Sequence, residues 1–279
     1  MIKKVTHVFM VILILISFLG ANLRAKGNNP TTREMNFLCW QEFQELVPAK
    51  IQTVLLPVGS LEPHGVIPNG TDSLAPEAMA KAIAERVNAL IAPTLNYGVT
   101  PAMKAFPGAV SIRPEAYQPF VEDILSNLAD NGFRNIIILN GHGGNTQWLQ
   151  ELVRQVANRK KVRMMVVNWW SLADKITKEV FKENGGHAGN NETAYMQAVY
   201  PQHIHPERYS QEMVSLLAPA ESYYPVPVPS SILIYEEGQG YPTFDEKQAR
   251  LYFQKVNDLV AKLILETIHK WDLAGVYSK

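Results

Sequence analysis

The chain has a single cysteine, Cys39, among its 279 residues, and therefore no intrachain disulfide framework. It also lacks an excess of either charge, with 26 Lys+Arg against 26 Asp+Glu, which excludes a strongly basic nucleic-acid binder. Repeats of fixed period are missing, so solenoids and collagen-like arrays are excluded. Neither a serine-nucleophile elbow, nor a P-loop, nor a dinucleotide fingerprint is present. The apolar run from Val8 to Gly20 is shorter than the roughly 20 residues a bilayer span requires.

What is present is a globular composition, 47% hydrophobic and 19% charged, in a chain long enough for one large core. Lys3 and Lys4 precede the apolar run, and small residues from Ala21 to Ala25 follow it, the pattern of a secretory signal peptide. Residues 1–25 are therefore expected to be a leader and 26–279 one domain, exported to a periplasm or the exterior and free of the membrane once cleaved. Removing the leader takes Lys3, Lys4 and Arg24 and no acid, leaving a small acidic excess.

The mature chain alternates short apolar runs with amphipathic ones. Strands are expected at Ile51 to Gly59, Leu90 to Leu95, Asn135 to Leu139 and Val162 to Asn168. Helices are expected from Thr71 or Asp72 to Leu90, from Pro114 to Asn131, from Thr146 to Lys160, from Ser171 to Lys182 and from Glu192 to Tyr200. The stretch 201–243 is proline-rich and reads as irregular, and Asp245 to Trp271 resumes a helical period. This rhythm predicts a mostly parallel sheet covered on both faces.

In such sheets the ligand site lies beyond the C-terminal strand ends. Gly59-Ser60-Leu61-Glu62-Pro63-His64-Gly65 and Asn140-Gly141-His142-Gly143-Gly144-Asn145 fall there, as do Trp169-Trp170. Asp72 stands at an expected helix start, and Gly186-His187-Ala188-Gly189-Asn190-Asn191-Glu192 forms a further loop. Imidazole and carboxylate together suit a zinc, manganese or iron centre. Glu62 and His64, separated by one residue, can face one way in extended backbone, and Asp72 can bridge two ions. Glycines beside His142 permit close approach of backbone to a ligand. Trp169 and Trp170 can flank a flat ring or belong to the core, and Asn145 reads as a helix cap. His203 and His205 read as ordinary loop residues.

Taken together, these segments resemble the creatininase (creatinine amidohydrolase) family. The family pattern runs Gly-Ser-x-Glu-x-His-Gly, Thr-Asp, Phe-Pro-Gly, Asn-Gly-His-x-x-Asn and His-Ala-Gly-x-x-Glu-Thr, and all five occur in order between Gly59 and Thr193. The resemblance implies a three-layer α/β/α fold, two divalent ions of zinc or manganese type, assembly into homo-oligomers such as hexamers, and hydrolysis of a C–N bond in a small, often cyclic, amide. Carried over, Glu62 and His142 hold one ion, His64 the other, and Asp72 bridges. A metal-bound hydroxide attacks the carbonyl, with His187 supplying the proton to the departing nitrogen. The family's second-site glutamate falls at Gly144, and Glu192 is the residue expected to fill that gap and to share in catalysis. Thr100, Gly143, Trp169 and Trp170 are expected to contact substrate. Thr100, Met103 and Asn190 differ from the family's common residues at pocket positions, so amide hydrolysis is better supported than creatinine itself. Formamide deformylation and noncatalytic, metal-dependent binding of a small molecule remain alternatives.

Overall fold

The computed structural model describes residues 30–215, 222–233 and 240–277. The expected leader, residues 1–25, lies outside the described residues, and the architecture that follows is that of the unit Arg33–Lys279. Among the described residues no helix is long and apolar enough to cross a membrane.

Four strands, β1 (Thr53–Val58), β2 (Ala89–Ile91), β3 (Asn135–Asn140) and β4 (Arg163–Asn168), form a parallel sheet in the order β2-β1-β3-β4. β1 and β3 are buried at every position, which is why they read as unbroken apolar runs rather than alternating ones. Pro57 sits in β1 beyond the Leu55–Ile91 pair that ends the β2 ladder, and its carbonyl accepts from Leu95 N–H at 3.0 Å. A residue without an N–H is tolerated there because no ladder hydrogen bond is asked of it on that side.

Side chains alternate across the sheet and feed two cores. Leu55, Ile137 and Leu139 pack with helices α2 (Thr71–Ile83), α7 (Asn190–Val199) and α8 (Glu246–Leu273). Val54, Leu56, Ile136 and Ile138 pack with α1 (Trp40–Leu46), α3 (Pro114–Asp130) and α4 (Thr146–Lys160) on the opposite face. Helix, sheet and helix thus form three layers, as the alternating pattern implied.

Several boundaries differ from the sequence reading. α2 stops at Ile83, because the chain turns through Asn88 in left-handed conformation (φ 45°) and delivers Leu90 to β2. Neither Thr71 nor Asp72 caps it. The Thr71 hydroxyl donates to Pro68 O at 2.6 Å and Asp72 turns into the site. The helix expected over 171–182 is two, α5 (Trp169–Leu172) and α6 (Asp174–Phe181), divided at Ala173. Within 201–243 the described residues hold short 3-10 turns and one two-residue ladder, β5 (Val214–Ser215) with β6 (Ile232–Leu233).

Candidate metal centre

The chain leaves β1 for β2 on one side and returns on the other as β3, so β1 and β3 flank a topological switch point. The loop after β1 carries Glu62 and His64, and the loop after β3 carries His142. α2 begins beneath both, so Asp72 in its first turn rises between them. Gly141 is required by this meeting: a Cβ there would lie 1.9 Å from the Asp72 carbonyl. His187 and Glu192 arrive from the loop before α7 and from its first turn.

Asp72 organises the cluster by dividing its two oxygens. Oδ1 lies 3.0 Å from His64 Nε2, and Oδ2 lies 2.9 Å from His142 Nδ1 and accepts from the Ser60 hydroxyl at 2.7 Å. On the His142 side Glu62 Oε1 stands 3.3 Å from Nδ1, and on the His64 side Glu192 Oε2 stands 3.6 Å from Nε2. The result is two buried donor sets, Glu62/Asp72/His142 and His64/Asp72/Glu192, with ligand atoms within 4.8 Å of one another in each. Donors on a tetrahedral zinc, at bond lengths near 2.0–2.1 Å, are spaced by roughly 3.3 Å. The donor chemistry, the spacing and the shared carboxylate fit two divalent ions. A third grouping, Glu62/His64/His187, overlaps both.

Each imidazole is oriented by its other nitrogen, as metal-binding histidines require. His64 donates Nδ1–H to the Glu62 carbonyl (2.9 Å), and His142 donates Nε2–H to the Val99 carbonyl (3.0 Å). His187 donates Nε2–H to the Pro63 carbonyl (2.8 Å), which leaves its Nδ1 3.6 Å from Glu62 Oε1. Its ring lies against that of His64, with centroids 4.3 Å apart. Asn140, at the end of β3, clasps the His142 loop by donating to the His142 carbonyl at 2.8 Å and accepting from its N–H at 3.2 Å.

The electrostatics show what this concentration of carboxylates demands. Where protons alone balance them, burial opposes the charge on His64, yet Asp72, Glu192 and Glu62 raise its pKa to about 10. His142 is raised well above the usual range, again against burial and chiefly by Asp72. Burial works to raise the Asp72 carboxyl, but His64 and His142 hold it well below the ordinary carboxylate range. Burial pushes Glu192 up to about 7, and burial together with the neighbouring His64 charge depresses His187 to about 4. Cationic charge is thus required at the His64 and His142 positions, from protons or from metal ions.

A cavity of about 480 Å³ opens onto the cluster, walled by Trp170, Ser171, Asp174, Thr177, Gly143 and Asn191. Of the residues expected to contact substrate, Trp170 and Gly143 line this cavity. Trp169 does not. It is buried in the core against the Tyr195 ring at 4.9 Å, because α5 turns only one of the paired indoles toward the cavity. Thr100 is also outside the lining, standing behind Glu62 with its hydroxyl donating to Glu62 Oε2. Met103 and Asn190 are likewise buried away from the cavity. Asn145 occupies the residue before α4 without capping it: its side chain donates to Gly59 O and accepts from Val99 N–H, both at 3.0 Å. At Gly144 a Cβ would lie 2.1 Å from the Val99 carbonyl and 2.5 Å from His142 Nε2. The glycines at 141 and 144 therefore permit close backbone packing, and Gly141 also lines the cavity. The roles of Val99 and Asn145 went unread because a backbone carbonyl carries no sequence signal and an Asn before a helix reads as a cap.

A parallel α/β sheet with a buried His/Asp/Glu cluster at its switch point defines an α/β protein whose site is consistent with metal binding. The chain belongs to the creatininase family: the family model described as creatinine amidohydrolase matches residues 36–262. It is 30% identical over 190 residues to a creatinine amidohydrolase of Pseudomonas putida, covering 61% of this chain and 73% of that one. It is 31% identical over 171 residues to a 3-dehydro-scyllo-inosose hydrolase of Thermotoga maritima (55% and 52%), and 28% over 182 residues to a mycofactocin precursor peptide peptidase of Mycobacterium ulcerans (62% and 68%). The crystal structure of a creatinine amidohydrolase shares the fold with a TM-score of 0.74 at 24% identity, over 85% of this chain and 98% of that one. Related creatininase structures are described as of Zn-Zn type and as creatininase with Mn.

Proposed function

We propose that this protein is an exported amidohydrolase that holds two divalent ions, zinc or manganese, and cleaves a C–N bond of a small, compact amide. The observation that carries the reading is the division of Asp72 between two histidines, each with its own glutamate. Glu62, Asp72 and His142 would hold one ion, and His64, Asp72 and Glu192 the other. Such a pair lowers the pKa of a water and polarises a carbonyl.

The chain's own residues supply the rest. Trp170 and Gly143 both line the cavity, the indole edge lying 3.9 Å from where a Cβ on Gly143 would stand. His187 is tethered through Nε2 to Pro63, so Nδ1 is the atom that can accept a proton and return it to the departing nitrogen. Burial disfavours its charged form, so the ring rests neutral with Nδ1 open. The relatives act, by their names, on three unlike substrates, and the choice of a small amide rests on the family resemblance. Export rests on the leader pattern of residues 1–25 and a homo-oligomer on the family resemblance.

The test joins metal analysis of the purified protein to hydrolysis assays on lactams, formamides and short peptides. Two ions per chain and turnover of a lactam or other small amide, lost in His187→Ala with metal content intact, support the proposal. Metal without turnover of any of them replaces it with a binding protein, and preference for formamides replaces it with a deformylase.

A further inference from the structure

We infer that Val99 and Thr100 form a strut that orients the Glu62/His142 half of the centre selectively, with Asn145 as its anchor. This inference rests on the two-ion reading above. Thr100 is buried (2% exposed) and its hydroxyl occupies Glu62 Oε2, so only Oε1 faces His142, at 3.3 Å. Glu62 is thereby fixed as a one-oxygen ligand. The adjacent residue acts on the other terminal ligand: the Val99 carbonyl takes the His142 Nε2–H at 3.0 Å, leaving Nδ1 with its lone pair toward the site. One dipeptide therefore sets the binding atom of two of the three donors in this half.

The strut is itself pinned from both ends. Val99 N–H donates to Asn145 Oδ1, and Thr100 N–H donates to Ser111 Oγ, each at 3.0 Å. Asn145, fully buried, donates from its other amide atom to Gly59 O at 3.0 Å. It thus joins the β1 loop that carries Glu62, the β3 loop that carries His142, and the strut between them.

The other half does not depend on the strut. His64 is oriented by the Glu62 carbonyl two residues away, and Glu192 Oε2 accepts from Ala188 N–H at 2.7 Å within its own turn. Outer partners of metal ligands are typically worth about 10–100-fold in affinity, and here that effect falls on one ion only. Thr100 is accordingly a positioning residue that acts through Glu62, not a substrate contact.

The test titrates chelator-stripped protein with Zn²⁺ against a chromophoric competitor and follows the two binding events separately. In Thr100→Val, which keeps the shape and removes the hydroxyl, one event should weaken by about 10–100-fold while the other holds. Thr100→Ser should behave as wild type. In a Glu192→Gln background, which weakens the His64-side ion, Thr100→Val should weaken the event that remains. The strut is overturned if Thr100→Val leaves both events unchanged, if it weakens both equally, or if Thr100→Ser fails as Thr100→Val does. Should Thr100→Val fold poorly, Thr100→Ala provides the same selective readout, because it also removes the hydroxyl that donates to Glu62 Oε2 and leaves Val99 and Asn145 in place. A wild-type protein that takes up no Zn²⁺ overturns the two-ion reading instead, a result distinct from any strut outcome.

Discussion

Glu192 Oε2 lies 3.6 Å from His64 Nε2, on the same side of Asp72, although the two residues come from opposite ends of the motif region. A carboxylate from the first turn of α7 thus stands in the place where the proposed two-ion centre needs one, the Asn-Gly-His segment having Gly144 there. Glu192→Gln should retain one ion per chain and lose the other at micromolar free zinc. Its loss should exceed the roughly 10–100-fold typical of an outer partner. Elemental analysis after dialysis checks this, and two retained ions would remove Glu192 from the donor set.

Metal uptake should release protons. His64, raised to about 10, and His142, raised well above its usual range, are protonated at neutral pH when no cation balances the cluster. An imidazole must be neutral to bind a metal. Because both folded pKa values are raised, apparent affinity should climb as pH rises from 6 toward 9 and fall on acidification. Calorimetry in buffers of different ionisation enthalpy should show net proton release at pH 7, with Glu192, pushed up to about 7, adding to the share of the histidines, and zero release would contradict the assignment.

Gly144 marks a position where no side chain fits the observed backbone. Gly144→Ala puts a Cβ against the Val99 carbonyl, and forced overpacking of this kind costs about 1–3 kcal/mol. Urea midpoints of the metal-free protein should fall accordingly. An unchanged midpoint would show that the 97–103 loop yields easily.

The adjacent indoles should separate cleanly by measurement. Trp169→Ala should destabilise the fold by about 3–5 kcal/mol, the cost of emptying a buried aromatic site. Trp170→Ala should cost clearly less stability than Trp169→Ala, because the ring is only half-buried against the core, and should raise KM, because it lines the cavity. Equal effects on stability would return Trp170 to the core.

Much of this arrangement was legible in advance. β1 and β3 announce themselves as apolar runs because both faces are covered, and Thr146 to Lys160 is helical to the residue. Glu62, His64, Asp72, His142 and Glu192 stand out as ligand types in glycine-flanked loops, and the structure brings all five together. Periodicity failed where a break depends on geometry rather than composition, as at Asn88 and Ala173. It also failed at Trp169 and Thr100, because adjacent residues in one segment can face opposite surroundings.

The sequence by itself determined the layer order, the strands that end at the site and the residue types that gather there, since these follow from local hydrophobic pattern and side-chain chemistry. Only the tertiary structure decided which oxygen of Asp72 faces which histidine, that Glu192 stands beside His64, and that Thr100 bonds to Glu62, Val99 to His142 and Asn145 to Gly59. Those relationships depend on distances between segments dozens of residues apart, which the packing of α2 and α7 against the sheet fixes and no local pattern encodes.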